Sequence, residues 1–242
     1  MIIIQFDQKY LRWAQLMLQT LALFEPEQKI LLDTIGLAPQ QVTALTERHP
    51  GVCISNDPDG LPGGREAMVC RKPFVMQRAM DTYPDEPWYC LMDADSLIRR
   101  PLTRLWRYMA IYPTAIMMTN GLWRGRVYQH LITPSAIVMA RPDGRLLIDN
   151  WVKWTQHDQP MFNIKPGGWF WDQICLSYAW RESKLPYGNI GCHHHANGVF
   201  SGDATIWSAH VEPHEKDWYF EQFQRETNRL LRETGTLEVS RV

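Results

Sequence analysis

The sequence lacks a basic excess. Its 25 lysines and arginines are offset by 26 acidic residues, for a formal net charge of −1. Without a basic stripe there is no electrostatic footprint for a phosphate backbone, and a nucleic-acid partner is not expected. No apolar run approaches the roughly 20 residues needed to cross a bilayer, so no transmembrane segment is expected. Paired cysteines are missing too. The five cysteines, Cys53, Cys70, Cys90, Cys175 and Cys192, are odd in number and none forms a C-x-x-C pair. That speaks against a disulfide framework and for a reduced, cytoplasmic setting. Met1 runs straight into Ile2-Ile3-Ile4 with no basic n-region and no small-residue cleavage site. This start reads as a first strand rather than a leader. Internal repeats and low-complexity tracts are absent as well.

What is present is an ordinary globular composition, 45% hydrophobic over 242 residues, enough for a sizeable core. One domain over 1–242 is expected, with an amphipathic helix near its end at about 218–233. Ile2–Phe6, Lys29–Asp33 and Val52–Ser55 read as short apolar strands, and Tyr10–Phe24 and Pro39–Arg48 as the helices between them. That alternation predicts a parallel α/β sheet. The segment Asn56–Gly64 carries Pro, Gly and Asp at loop density. Beyond it the pattern predicts helices over Lys72–Tyr83, Pro101–Met109, Leu146–Trp154, Trp171–Trp180 and Trp218–Glu233. Further strands are predicted at Trp88–Met92, Ala115–Met118, Ala136–Met139 and Thr205–Ser208.

The chemistry-bearing motif is Asp93-Ala94-Asp95, delivered by the apolar strand Trp88-Tyr89-Cys90-Leu91-Met92. In an extended segment residues i and i+2 share a face, so both carboxylates can point the same way. Open α/β sheets bind ligands beyond the carboxyl ends of their strands. Paired carboxylates repel, and a bound cation relieves that. A hard cation uses few protein carboxylates and fills its other positions with phosphate oxygens and water. An apolar strand ending in D-x-D therefore points to a metal-diphosphate site. The simpler role for such acids is to cap the following helix.

The stretch from Lys72-Pro73 through Trp88–Asp95, Ser96-Leu97-Ile98-Arg99-Arg100-Pro101-Leu102 and Leu105-Trp106 resembles GT-A glycosyltransferases. It is most similar to glycosyltransferase family 8, the glycogenin and bacterial galactosyltransferase group. Two later landmarks follow in the family's order. His210-Val211-Glu212-Pro213-His214-Glu215-Lys216-Asp217-Trp218 matches H-x-x-G-x-x-K-P-W at His, Lys and Trp, with Pro213 and Asp217 departing from it. Trp171-Asp172-Gln173 matches the family's Asp-Gln pair at the start of a helix.

The resemblance implies a GT-A fold, the nucleotide-diphospho-sugar transferase fold, with a mostly parallel central sheet flanked by helices. It implies Mn²⁺ or Mg²⁺ held by Asp93, Asp95 and His210, and a diphosphate contact from Lys216. Asp172 and Gln173 are implied as catalytic residues near the donor sugar and acceptor. A carboxylate there can stabilise an oxocarbenium-like centre; it can also serve as a helix-dipole charge. Gln5 and Asp7 are placed toward the base or ribose, and Lys72 beside the donor. The family's N-[AS]-G strand motif is met here by Pro134-Ser135-Ala136, which lacks both Asn and Gly. The implied reaction moves a hexose from a UDP-sugar to a hydroxyl on a glycan, lipid or protein, with retention of configuration. Asp172 acting as an inverting base is the alternative.

Trp169 and Trp171 flank the Asp-Gln pair and are read as faces for sugar or acceptor stacking, with core packing as the default for any tryptophan. Cys192-His193-His194-His195 lacks the paired spacing of a zinc site, and adjacent histidines on an extended segment face opposite ways. The final helix carries mixed charges, so packing on the body is expected before a peripheral membrane or dimer contact. Two rival functions stand beside the transferase. A HAD-type phosphohydrolase also uses D-x-D, but at an N-terminal strand and with Thr or Val where Leu97 stands here. A non-catalytic nucleotide-sugar or glycan-binding protein on the same scaffold would accommodate the departures at Pro134, Ala136 and Pro213.

Overall fold

The computed structural model describes residues 1–57, 64–118, 121–123, 126–128, 136–161, 166–167, 170–191, 195–197, 200, 202–209 and 213–236. Of 64–69, 121–123, 126–128, 195–197 and 213 it describes the backbone alone. The strands are β1 Ile2–Asp7, β2 Ile30–Ile35, β3 Val52–Asp57, β4 Tyr89–Asp93, β5 Ser96–Ile98, β6 Thr114–Ile116, β7 Gly121–Trp123, β8 Arg126–Tyr128, β9 Ile137–Ala140, β10 Tyr187–Asn189, β11 His195–Asn197 and β12 Ile206–Ser208. The helices are α1 Leu11–Phe24, α2 Pro39–Arg48, α3 Gly64–Thr82, α4 Thr103–Ile111, α5 Arg145–Thr155, α6 Trp171–Ser183 and α7 Lys216–Glu233.

Seven strands form the central sheet in the order β10-β6-β9-β4-β1-β2-β3. β4, β1, β2 and β3 run parallel, as do β10 and β6, while β9 is antiparallel to both β4 and β6. The central strands are buried on both faces, as parallel sheets covered by helices must be. Alternation sorts their side chains. Ile2, Ile4, Phe6, Leu32 and Met92 point to one face, where Ala14, Met17, Leu18 and Leu21 of α1 cover them. Ile3, Leu31, Leu91 and Val138 point to the other, against Val75, Met76 and Ala79 of α3, Leu147, Ile148 and Trp151 of α5, and Ile174 and Cys175 of α6. The result is an α/β/α sandwich. Each such aliphatic side chain, wholly withdrawn from water, contributes roughly 1.5–3 kcal/mol against chain entropy.

A second, three-stranded sheet, β11-β12-β5, sits beside the first. β5 and β12 are antiparallel with Ser96 opposite Ser208, and their hydroxyls hydrogen-bond at 2.7 Å. α7 closes this side. Its Tyr219 and Phe223 pack with Trp13 and Leu16 of α1, Leu97 and Trp207. This apolar stripe docks α7 on the body and so positions the residues at its N-terminus. No described helix is long and apolar enough to cross a membrane.

Candidate active site

β1 is the strand at which the sheet's connectivity reverses. β2 and β3 lie in sequence on one side of it and β4 on the other. Such a switch point, at the carboxyl ends of β1 and β4, is where open α/β sheets bind their ligands. The register sets what lines it. Gln5 stands opposite both Asp33 of β2 and Asp93 of β4, so one row of polar side chains crosses three adjacent strands. The alternation that turns Ile3 and Leu91 toward α3 turns this row the same way.

Asp93 ends β4, and its amide donates to the carbonyl of Ala136 at 2.9 Å. Lys72 on α3 reaches down to it, with Nζ 2.7 Å from Oδ1. The same ammonium lies 3.4 Å from Oδ2 of Asp172. Burial drives the Lys72 pKa down, but the carboxylates of Asp93 and Asp172 outweigh it and hold the ammonium above the ordinary lysine value. Lys72 thus stays charged and ties β4 to the start of α6.

Asp172 occupies the first turn of α6, where an acid is favoured by the helix dipole. It is almost wholly buried. The indole N–H of Trp151 donates to its backbone carbonyl at 2.8 Å. Phe170, just before the helix, has φ 72°, a left-handed conformation that costs a residue with a Cβ roughly 1–2 kcal/mol. This strained residue is the N-cap of α6, directly before Trp171 and Asp172.

Asp95, two residues after Asp93 in the turn that leaves β4, is also buried. Its backbone carbonyl accepts the amide of Ala209 at 2.9 Å, which lashes the end of β12 to the acidic turn. Its carboxylate accepts from Lys216 of α7. Lys216 also donates to the carbonyl of Ala209 at 2.5 Å, and its ammonium lies 5.3 and 5.5 Å from the ring centres of Tyr10 and Trp13. His210 lies outside the described residues, directly after Ala209.

Gln5 is buried, and its amide nitrogen is without a hydrogen-bond partner among the described residues. Asp7 caps the 3-10 turn that leads into α1, accepting from the amides of Lys9 and Tyr10 at 2.9 and 3.2 Å. Gln173 is half-buried beside Asp172. Trp171 departs from the stacking role read from the sequence. It is fully buried, and its indole N–H donates to the carbonyl of Thr155 at 3.2 Å. As the first residue of α6 it turns inward to fill the core between α5 and α6. Trp169 lies outside the described residues, as do Pro134 and Ser135.

Sequence reasoning missed a neighbouring ion cluster. Asp33, with no exposed surface, accepts Nε and Nη2 of Arg71 at 2.9 and 3.1 Å and Nη2 of Arg78 at 2.5 Å. Arg71 bonds Asp57 as well, at 3.0 Å. The signal available was a lone acid inside the apolar strand Ile30–Asp33, which must find a buried partner.

Asp93 and Asp95 offer hard carboxylate oxygens, a donor set that suits Mg²⁺ or Mn²⁺ shared with phosphate oxygens. No three His, Cys, Asp or Glu side chains gather as a closed metal cage among the described residues.

No family model matches the sequence, and no curated protein matches it. Solved structures do match in shape. The bifunctional glycosyltransferase WbbM is 9% identical, with TM-score 0.61 over 93% of this chain and 49% of its own, so this chain spans about half its length. The galactosyltransferase LgtC, solved with donor and acceptor sugar analogues, is 10% identical, with TM-score 0.54 over 96% of this chain and 99% of its own. The glycosyltransferase GlyE of Streptococcus pneumoniae is 11% identical, with TM-score 0.61 over 97% of this chain and 62% of its own. The mostly parallel sheet flanked by helices and these likenesses agree: the chain has the GT-A glycosyltransferase fold.

Proposed function

We infer that the chain is a metal-dependent glycosyltransferase that moves a hexose from a nucleotide-sugar, best a UDP-sugar, to a hydroxyl on a glycan, lipid or protein. The observation that carries this is a pair of ion clusters at the two acids of the turn leaving β4, Lys72 with Asp93 and Asp172 and Lys216 with Asp95, on a GT-A fold. Asp93 and Asp95 would hold Mn²⁺ or Mg²⁺, with His210 as the third protein ligand that the family resemblance nominates. Bound there, the cation would act as a Lewis acid on the leaving diphosphate.

The chain's own residues supply the rest. Lys216 offers a point charge to the diphosphate. Gln5 carries a buried donor that needs an acceptor, which suits a base or ribose oxygen, and Asp7 lies at the end of the same strand. Lys72 fixes Asp172, and Asp172 with Gln173 faces the anomeric carbon. There the bond to the diphosphate oxygen breaks and a bond to the acceptor oxygen forms, the acceptor's proton leaving with the diphosphate. Asp172 stabilises the positive charge that develops between those events. Retention follows the family resemblance. A reducing, cytoplasmic location suits the free thiols of Cys53, Cys70, Cys90 and Cys175.

A thermal-shift screen of nucleotide-sugars, with and without Mn²⁺, tests the donor class. A rise in Tm of several degrees that needs both ligand and metal is expected for at least one UDP-hexose. No metal-dependent shift with any nucleotide-sugar would overturn the reading.

A further inference from the structure

Each carboxylate of the acidic pair has its own ammonium. Lys72 comes from α3 to Asp93, and Lys216 comes from α7 to Asp95. The two lysines differ in what else holds them. Lys72 has a second carboxylate, Asp172, at 3.4 Å. Lys216 sits between the Asp95 carboxylate and the Ala209 carbonyl, with the Tyr10 and Trp13 rings beside it. A carboxylate and a backbone carbonyl are the oxygen donors a hard cation uses. Aromatic faces add to their attraction for positive charge. The ammonium thus lies among groups of the kind that hold a cation, and Ala209, whose carbonyl it meets, directly precedes His210 in the chain.

We propose that Lys216 is an internal competitor for Asp95: it opposes divalent-cation binding until a diphosphate offers it another partner, so that metal and donor bind as a coupled pair. This rests on the metal-dependent reading above. A divalent ion approaching Asp95 meets a positive charge within hydrogen-bonding distance of the same carboxylate, which disfavours it. A diphosphate brings negative charge that a lysine binds well, and drawing the ammonium onto it removes the competition. By linkage, the factor by which diphosphate raises metal affinity is the factor by which metal raises diphosphate affinity. Lys72 is less suited to this exchange, because Asp172 holds it as a second carboxylate.

The test is titration of Mn²⁺ into the full chain, followed by the electron paramagnetic resonance signal of free Mn²⁺, with and without saturating UDP. Lys216→Met should bind Mn²⁺ alone about tenfold tighter than wild type, the weight of one charged hydrogen bond. Its gain in Mn²⁺ affinity on adding UDP should shrink by a similar factor. Lys216→Arg, which keeps the charge, should stay near wild type, and Lys216→Gln replaces the methionine variant if that chain does not fold. Mn²⁺ binding to the neutral variants that is no tighter than wild type, while UDP still strengthens it in wild type, overturns this proposal and leaves the functional reading standing. Wild-type protein that takes up no Mn²⁺ with or without UDP overturns both.

Discussion

Asp95→Ala is expected to abolish metal-dependent nucleotide binding and to lower transfer about a thousandfold or more. The size follows from what one preorganised charge is worth where a leaving group gathers negative charge, on the order of 10²–10³ for a single donor and more for a Lewis acid. The fold should survive. Asp95's backbone carbonyl still accepts Ala209, β5 still pairs with β12, and Lys216 keeps the Ala209 carbonyl and two aromatic faces. Far-UV circular dichroism should therefore match wild type. Asp172→Asn makes the contrast. The Asp172 carboxylate is tied to Lys72 rather than to Lys216. Turnover should fall at least about a hundredfold, with UDP affinity within about threefold of wild type, the pattern of an interaction made in the transition state. Calorimetry and single-turnover rates separate the two. Unchanged metal-dependent UDP binding in Asp95→Ala would remove the acidic turn from the site.

The second large effect is on stability. Asp33→Ala should lower it by roughly 3 kcal/mol. Asp33 is wholly buried and holds two guanidinium groups, and its loss leaves Arg71 with Asp57 as its remaining carboxylate among the described residues. Removing one partner of a buried ion pair strands the other, whereas replacing both by apolar groups is often close to neutral. Urea unfolding should show the drop in midpoint, and thermal unfolding a Tm lower by about 6–12 °C for a chain of this size. The double variant Asp33→Leu/Arg71→Met should recover most of it. A single variant as stable as wild type would show that the cluster contributes little net energy. Arg71 directly precedes Lys72 on α3, so a loosened cluster should also weaken the aim of Lys72.

Much of the sheet was legible because buried parallel strands are contiguous apolar runs. β1, β2, β3 and β4 lie where Ile2–Phe6, Lys29–Asp33, Val52–Ser55 and Trp88–Met92 are expected, to within two residues at either end. α2 matches at both ends, since Pro39 is well suited to a first turn. The helix expected over Lys72–Tyr83 is longer than read: α3 begins at Gly64 and carries Pro73 inside. β10, with Gly188 at its centre, offers no period to read, and its three residues are strand only because β6 lies alongside. Nothing local announces that β9 runs against its neighbours.

The site divided in the same way. Asp93 and Asp95 follow from strand geometry, whereas Lys72, Asp172 and Lys216 are nominated by the family resemblance. The tie of Lys72 to both Asp93 and Asp172 joins residues 21 and 100 positions apart, and no spacing rule predicts it. Trp171 looked available for stacking because its neighbour is Asp172, but one step along a helix turns a side chain by about 100° and sent it into the core.

The most direct test of the central claim is release of UDP from the UDP-hexose found by the binding screen, in the presence of Mn²⁺ and hydroxyl acceptors. UDP should appear with hexose joined to an acceptor or to water, should cease with a chelator, and should be lost in Asp93→Ala. Tight UDP-sugar binding with no release of UDP would make the chain a binding protein on a transferase scaffold, and turnover of a simple phosphomonoester in place of the UDP-sugar would make it a phosphohydrolase; either result contradicts glycosyl transfer.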